Sequence, residues 1–323
     1  MFKVRLTGAT GLSLRRIACS LPCAVLLTAS PALGETKVWD GGAGTNSWHD
    51  ATNWSPDGVP TTADDVVIDA PGPLTVTVNN SATALTLTCS NGISILSGSL
   101  SLADASTCHD FQQSGGSLAG AGTLAVTGSF AWSKGSMDGP GATVVMPGAS
   151  VSLAGTTSPR FLGRELELRA DGTTTMDSSS NPIYFSGGTL RIASGATLTA
   201  SGGNWFKNNG GTNAIIIEGT LTKIGAGDTE LSAGTLTLSG AVDVQAGVVL
   251  LASGAQTGSL AIASGATCRN ISGSYVLNAG SSLSGTGSLS VNGGAITVAS
   301  GVAFPGTFDV LSGTLTVNAA SSA

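Results

Sequence analysis

Both histidines of this chain are followed by an aspartate, His49-Asp50 and His109-Asp110. Imidazole beside carboxylate is the pairing from which general bases and metal sites are built, but either use needs further groups converging on the pair. In an extended strand neighbouring side chains point to opposite faces, so the spacing predicts hydrogen-bonded surface or turn positions. Asp64, Asp65 and Asp69 supply the hard oxygen ligands that calcium takes, although a solvated turn entering a strand uses the same residues. No Gly-Gly-x-Gly-x-Asp phrase recurs, which argues against calcium-loaded turns. No cofactor is expected.

Arg160, Arg164, Arg169 and Arg191, with Glu165 and Glu167, form the densest charge group of the later chain. A polysaccharide lyase or hydrolase would need a basic group and acidic partners presented together on one face. Here the two signs alternate and neutralise one another, so the chain reads as non-catalytic. Trp39, Trp48 and Trp54 would stack on sugar rings if exposed, whereas packed together they would remove a large apolar area from water. Trp205 and Phe206, beside Lys207 and the amides of Asn204, Asn208, Asn209 and Asn213, form a second candidate glycan patch. A carbohydrate-binding module using these tryptophans is therefore the alternative to a purely structural protein.

The elements that must carry these residues are short and repetitive. Gly188-Thr189-Leu190-Arg191-Ile192, Gly234-Thr235-Leu236-Thr237-Leu238 and Gly313-Thr314-Leu315-Thr316-Val317 restate one phrase, a glycine turn and then a hydroxyl residue alternating with an aliphatic one. Period two places the aliphatic side chains on one face and the hydroxyls on the other, and like strands recur roughly every twenty residues, the size of one solenoid turn. Cys89 and Cys108 are separated by about one such turn. They fall above one another on adjacent turns, where stacked strands about 4.8 Å apart allow either a disulfide or two buried thiols. Cys268 is expected as a buried free thiol.

Composition narrows the function. Only 10% of the 323 residues are charged and 47 are glycine, while 41% are hydrophobic, which excludes disorder. The formal charge is −6. The segment Met1–Gly34 holds Lys3, Arg5, Arg15 and Arg16 and no acid, so its removal makes the remainder more acidic still, at −10. That balance excludes nucleic-acid binding, which needs a basic stripe. Met1–Gly34 reads as an export signal: Arg15-Arg16 precede the apolar run from Ile17 to Thr28, and Ala32-Leu33-Gly34 place small residues before a cleavage site after Gly34. The apolar run is too short for a transmembrane segment, and no later stretch offers one. Residues 35–70 read as an N-terminal cap rich in tryptophan, and 71–323 as solenoid repeats. Ser321-Ser322-Ala323 close the sequence without an aromatic or charged cap, which predicts either that something outside this sequence protects the last turn or that the repeats continue in a longer product.

The string Trp39-Asp40-Gly41-Gly42, Trp48-His49-Asp50, Asn53-Trp54-Ser55, Gly58-Val59-Pro60 and Asp64-Asp65-Val66-Val67-Ile68 resembles the opening motif of bacterial exported surface proteins with autotransporter-type β-strand repeats. Phe130-Ala131-Trp132-Ser133-Lys134-Gly135-Ser136-Met137, Leu162-Gly163-Arg164-Glu165-Leu166 and Phe206-Lys207-Asn208-Asn209-Gly210 are similar to later phrases of that group. The resemblance implies an all-β, right-handed parallel β-helix, extracellular or at the cell surface, acting as a structural or adhesive protein. Its partner would be a glycan or a host or cell-surface protein. The group brings no shared active site, and the C-terminal membrane barrel of true autotransporters is absent from this sequence.

Overall fold

The computed structural model describes residues 34–155, 158–176 and 182–318. The expected export signal, Gly34 apart, lies outside the described residues. Alternating strands joined by glycine corners wind the chain into an all-β parallel solenoid of about 12 turns. Each coil has three sides. One coil runs through Glu165–Leu168, Gly172–Met176 and Ile183–Phe185. The path then returns at Thr189–Ile192, where Leu190 lies opposite Leu166 and Ile192 opposite Leu168. Coil length varies: the circuit that brings Val126 over Cys108 is shorter than the one that brings Ile215 over Leu190.

Period-two alternation sends one side chain in two into a continuous interior. On the first face Ile68, Cys89, Cys108, Val126, Val145, Leu168, Ile192, Ile217 and Leu238 form one unbroken buried column. Each large aliphatic member contributes about 1.5–3 kcal/mol by leaving water. Phe111 stacks on Phe130 on the second face with ring centroids 5.9 Å apart. Gln256 continues the first column above Leu238, and the Tyr275 hydroxyl donates to its Oε1 at 3.1 Å, so the polar pair is satisfied inside the core.

Corners are the weak points of such a coil, because carbonyls there leave the ladder and face a dry interior. Buried side-chain donors replace the lost partners. Arg160 Nη1 donates to Leu153 O at 2.7 Å and Trp132 O at 3.3 Å, and Arg164 Nη2 to Gly122 O at 2.7 Å and Ala142 O at 2.8 Å. Lys223 Nζ serves Ile224 O and Gly225 O, both at 2.7 Å, and Asn270 Nδ2 reaches Ala252 O at 2.9 Å. Burial pushes both arginines down to about 10, with Asp138 partly opposing it at Arg164, so both stay charged at neutral pH. The expected single charge cluster is thus divided. Arg160 and Arg164 are inside, while Arg169 pairs with Glu167 at 2.9 Å and Arg191 bridges Glu165 at 3.0 Å and Glu218 at 2.7 Å on the outer surface.

Glycine is required where corners stack directly. Gly135 has φ +94°, and a Cβ there would lie 2.3 Å from the carbonyl oxygen of Gly116 in the coil below. Any side chain at Gly135 would push two coils apart.

At the N-terminal end Trp54 sits between two rings, with centroids 5.0 Å from Trp39 and 4.9 Å from Trp48, both edge-to-face. Its Nε1 donates to Trp48 O at 2.8 Å. All three tryptophans are buried. Asn53, fully buried beside them, donates through Nδ2 to Thr45 O and Ser47 O and accepts from the Ala43 amide, which fixes the loop that carries Trp48. The solenoid starts inside the segment expected to be cap alone: Thr36–Trp39 already pairs in parallel with Asp65–Ile68, and Trp54–Ser55 adds an antiparallel rung to it. Cys89 and Cys108 lie in register, both buried, and their sulfurs are unlinked thiols. A mutual hydrogen bond, and then burial, push the Cys108 thiol up.

Candidate binding surface on the outer faces

Three of the four tryptophans considered for sugar stacking are unavailable to a ligand. Trp39, Trp48 and Trp54 are 6%, 0% and 0% exposed, which fits a packed end cap and not a sugar platform. Trp205 does point outward, but Lys207 Nζ lies 3.9 Å from its ring centroid and also pairs with Glu230 at 3.6 Å. One ring face is therefore covered by an ammonium group. Phe206, expected beside it on the patch, is buried against Phe185. Phe161 and Tyr184 form an outward ladder in register on this side, yet they stack on each other at 5.7 Å and 19°. One face of each ring is therefore taken up by the other.

The three aspartates considered for calcium do not share a site. Asp64 is 6% exposed, and its oxygens accept from the Glu35 amide at 2.8 Å and from the Thr61 amide and hydroxyl, both at 2.7 Å. Burial alone would raise its pKa. Those donors, with the charge of Lys37, outweigh burial and hold it below the usual carboxylate range. Asp65 accepts from Thr86 Oγ1 and Asp69 from Ser90 Oγ, each at 2.5 Å and one coil apart along the first face. Among the described residues no three His, Cys, Asp or Glu side chains gather as a metal ion would require.

One histidine behaves otherwise than the alternation rule predicts. The register slips between Cys108 and Asp110 against the next coil, a bulge that turns two consecutive side chains outward. His109 Nδ1 then lies 3.2 Å from Asp110 Oδ2, and Ser129 Oγ, in register on the following coil, donates to Asp110 Oδ1 at 2.6 Å. The imidazole packs over Gly128, where a Cβ would come within 2.3 Å of its Cε1. Burial pulls the Asp110 carboxyl upward, but Ser129 and His109 outweigh it, and the group stays below its ordinary pKa. The carboxylate sits between hydroxyl and imidazole, so the serine is not activated by the histidine as a nucleophile would be.

Asp110 also separates two hollows on the second face. A cleft of about 250 Å³ is lined by Thr75, Gly92, Asp110, Gln112, Ser129 and Ala131, among others. An adjoining hollow of about 470 Å³ runs toward the cap past Asn46, Leu74, Thr75 and Asn91. The cap forms one wall because Ser47 bridges Thr77 in parallel and the Thr77 amide donates to Asn46 O at 2.7 Å. His49, the other histidine, accepts from the Asn80 amide through Nε2 at 3.3 Å and lies beyond this cleft, a hydrogen-bonded position as its spacing predicted.

Comparison with protein-family models, with curated proteins and with solved structures finds no match. Among the described residues no helix is long and apolar enough to cross a membrane.

Proposed function

We propose that this chain is an exported, non-catalytic surface protein, structural or adhesive in role, whose solenoid holds out a long polar wall for multivalent weak contact. The observation that carries the reading is the division of each strand: the inward column is dry from Ile68 to Leu238, and the outward positions are largely Ser, Thr and paired charges. Successive coils then offer repeated hydroxyl and amide groups at a spacing of about 4.8 Å, and weak contacts along such a shaft add as linked sites do. The basic and apolar leader and the resemblance to autotransporter-type surface proteins support export by a bacterium. The partner is a glycan or a protein of a cell surface.

The test is fractionation of bacteria producing the full chain, followed by N-terminal sequencing and a cell-adhesion assay of the recovered protein. Outside recovery with Glu35 as the first residue, and adhesion above that of an unrelated solenoid, are expected. Retention in the cytoplasm with Met1 intact would end the export reading, and background adhesion would leave only the structural role.

A further inference from the structure

We propose that the cleft around Asp110 is a saccharide-binding site, in which Asp110, Ser129 and Gln112 hold the hydroxyls of a neutral sugar. The assignment rests on the adhesive reading and names its ligand class.

The cleft is floored by a glycine. Thr75, Gly92, Asp110 and Ser129 stand in register on four successive coils of the second face, and Gly92 is the one position of the four with no side chain. A Cβ at Gly92 would sit 2.9 Å from Thr75 Oγ1 and 3.2 Å from Leu74 O, so a side chain there would displace Thr75 and alter the wall of the cleft. Gly92 does not have positive φ, so its backbone conformation does not demand glycine. What calls for glycine is the close approach of Thr75 and Leu74, which form the cleft wall beside it.

The lining sets the ligand. Asp110 is ionised, and a carboxylate has about four lone-pair sites. The Ser129 hydroxyl, the Ser129 amide and His109 take up three of them, which aims the group and leaves one for a charge-assisted bond from a ligand hydroxyl. Thr75, Gln112 and Asn46 add groups that both donate and accept, and Ala131 gives a small apolar patch for the C–H face of a ring. Neither hollow is lined by lysine or arginine, so a phosphate or uronic acid would meet Asp110 without a compensating charge. A divalent cation would find one carboxylate where it needs six or more oxygens. Vicinal hydroxyls match this mixture of acceptor, donor and neutral amide.

Binding of the full chain to an array of neutral hexose and N-acetylhexosamine oligosaccharides, beside uronic-acid oligosaccharides, tests the assignment, with titration calorimetry on the strongest neutral ligand. Retention of at least one neutral ligand is expected. Asp110→Asn should weaken it at least tenfold, Gly92→Thr should abolish it, and Thr222→Ala, remote on the same face, should leave it unchanged. Circular dichroism confirms that each variant keeps its strands, and should Gly92→Thr fail to fold, Gln112→Ala replaces it with an expected loss of at least threefold. No neutral ligand above background, preference for uronic acids, or wild-type affinity in Asp110→Asn would overturn the site. Adhesion is scored separately: a protein that adheres yet binds no sugar refutes this cleft and spares the broader reading.

Discussion

The first and the last described coils differ sharply in exposure. At the N-terminal end Trp39, Trp48 and Trp54 fold over the first coil, and Val66 and Ile68 beneath them are 1% and 0% exposed. In the last described strand, Thr307–Val317, the alternation is interrupted at Val310-Leu311, and Val310, Leu311 and Val317 are 53%, 62% and 57% exposed. Period-two alternation therefore specifies which side chains point inward, but only a covering layer makes that direction worth free energy. Burial in this fold belongs to pairs of layers and not to single coils.

The contrast is broken most severely at Trp54. Trp54→Ala should cost about 3–5 kcal/mol in chemical denaturation, because it empties the centre of the ring cluster and removes the Trp48 carbonyl's partner. Asp64→Ala should cost about 1–3 kcal/mol, since three donors lose their acceptor at a buried corner of the cap. Asp64 also gives the cap an acid limit. Its folded pKa lies below the ordinary value of 3.8, so its stabilisation is complete above that value and is lost as the pH falls through the lower folded one. Near-UV dichroism of the tryptophans should fall in that acid range in the wild type, and an unchanged signal would show that Asp64 does not hold the cap.

Cys89 and Cys108 sharpen the comparison within the interior. Incubation with oxidised glutathione during refolding should link these in-register thiols and leave Cys268, distant in the solenoid, free, as peptide mass mapping would show. The smallest effect belongs to the last described strand. Val310→Ser should change unfolding free energy by no more than about 0.5 kcal/mol, against the large loss at Trp54, because the side chain is already half in water.

Most of the solenoid was legible because its rule is local. Gly188 to Ile192 states turn, hydroxyl and aliphatic in order, and the structure uses Leu190 and Ile192 inward as that parity requires. The burial of Arg160 was also within reach: it stands two residues before the aliphatic Leu162, hence on the same side of its strand, although its charge suggests the opposite. The site at Asp110 was only half legible. The spacing that aligns Cys89 with Cys108 also sets Ser129 above Asp110, so that contact could have been found. The turn of His109 to the same side could not. A bulge is fixed by how one strand meets its neighbours, here by the bare surface of Gly128 under the imidazole, and no residue type at 108–110 announces it.

The changing length of the coil has a consequence for how such a molecule can diversify. The circuit from Leu190 to Ile215 is longer than the circuit from Cys108 to Val126, yet the first-face column stays in step through both. Extra residues enter at the bends and are absorbed there, without propagating along the axis. A lineage, or an engineer, can therefore graft new loops onto a single storey while the floors above and below keep their plan.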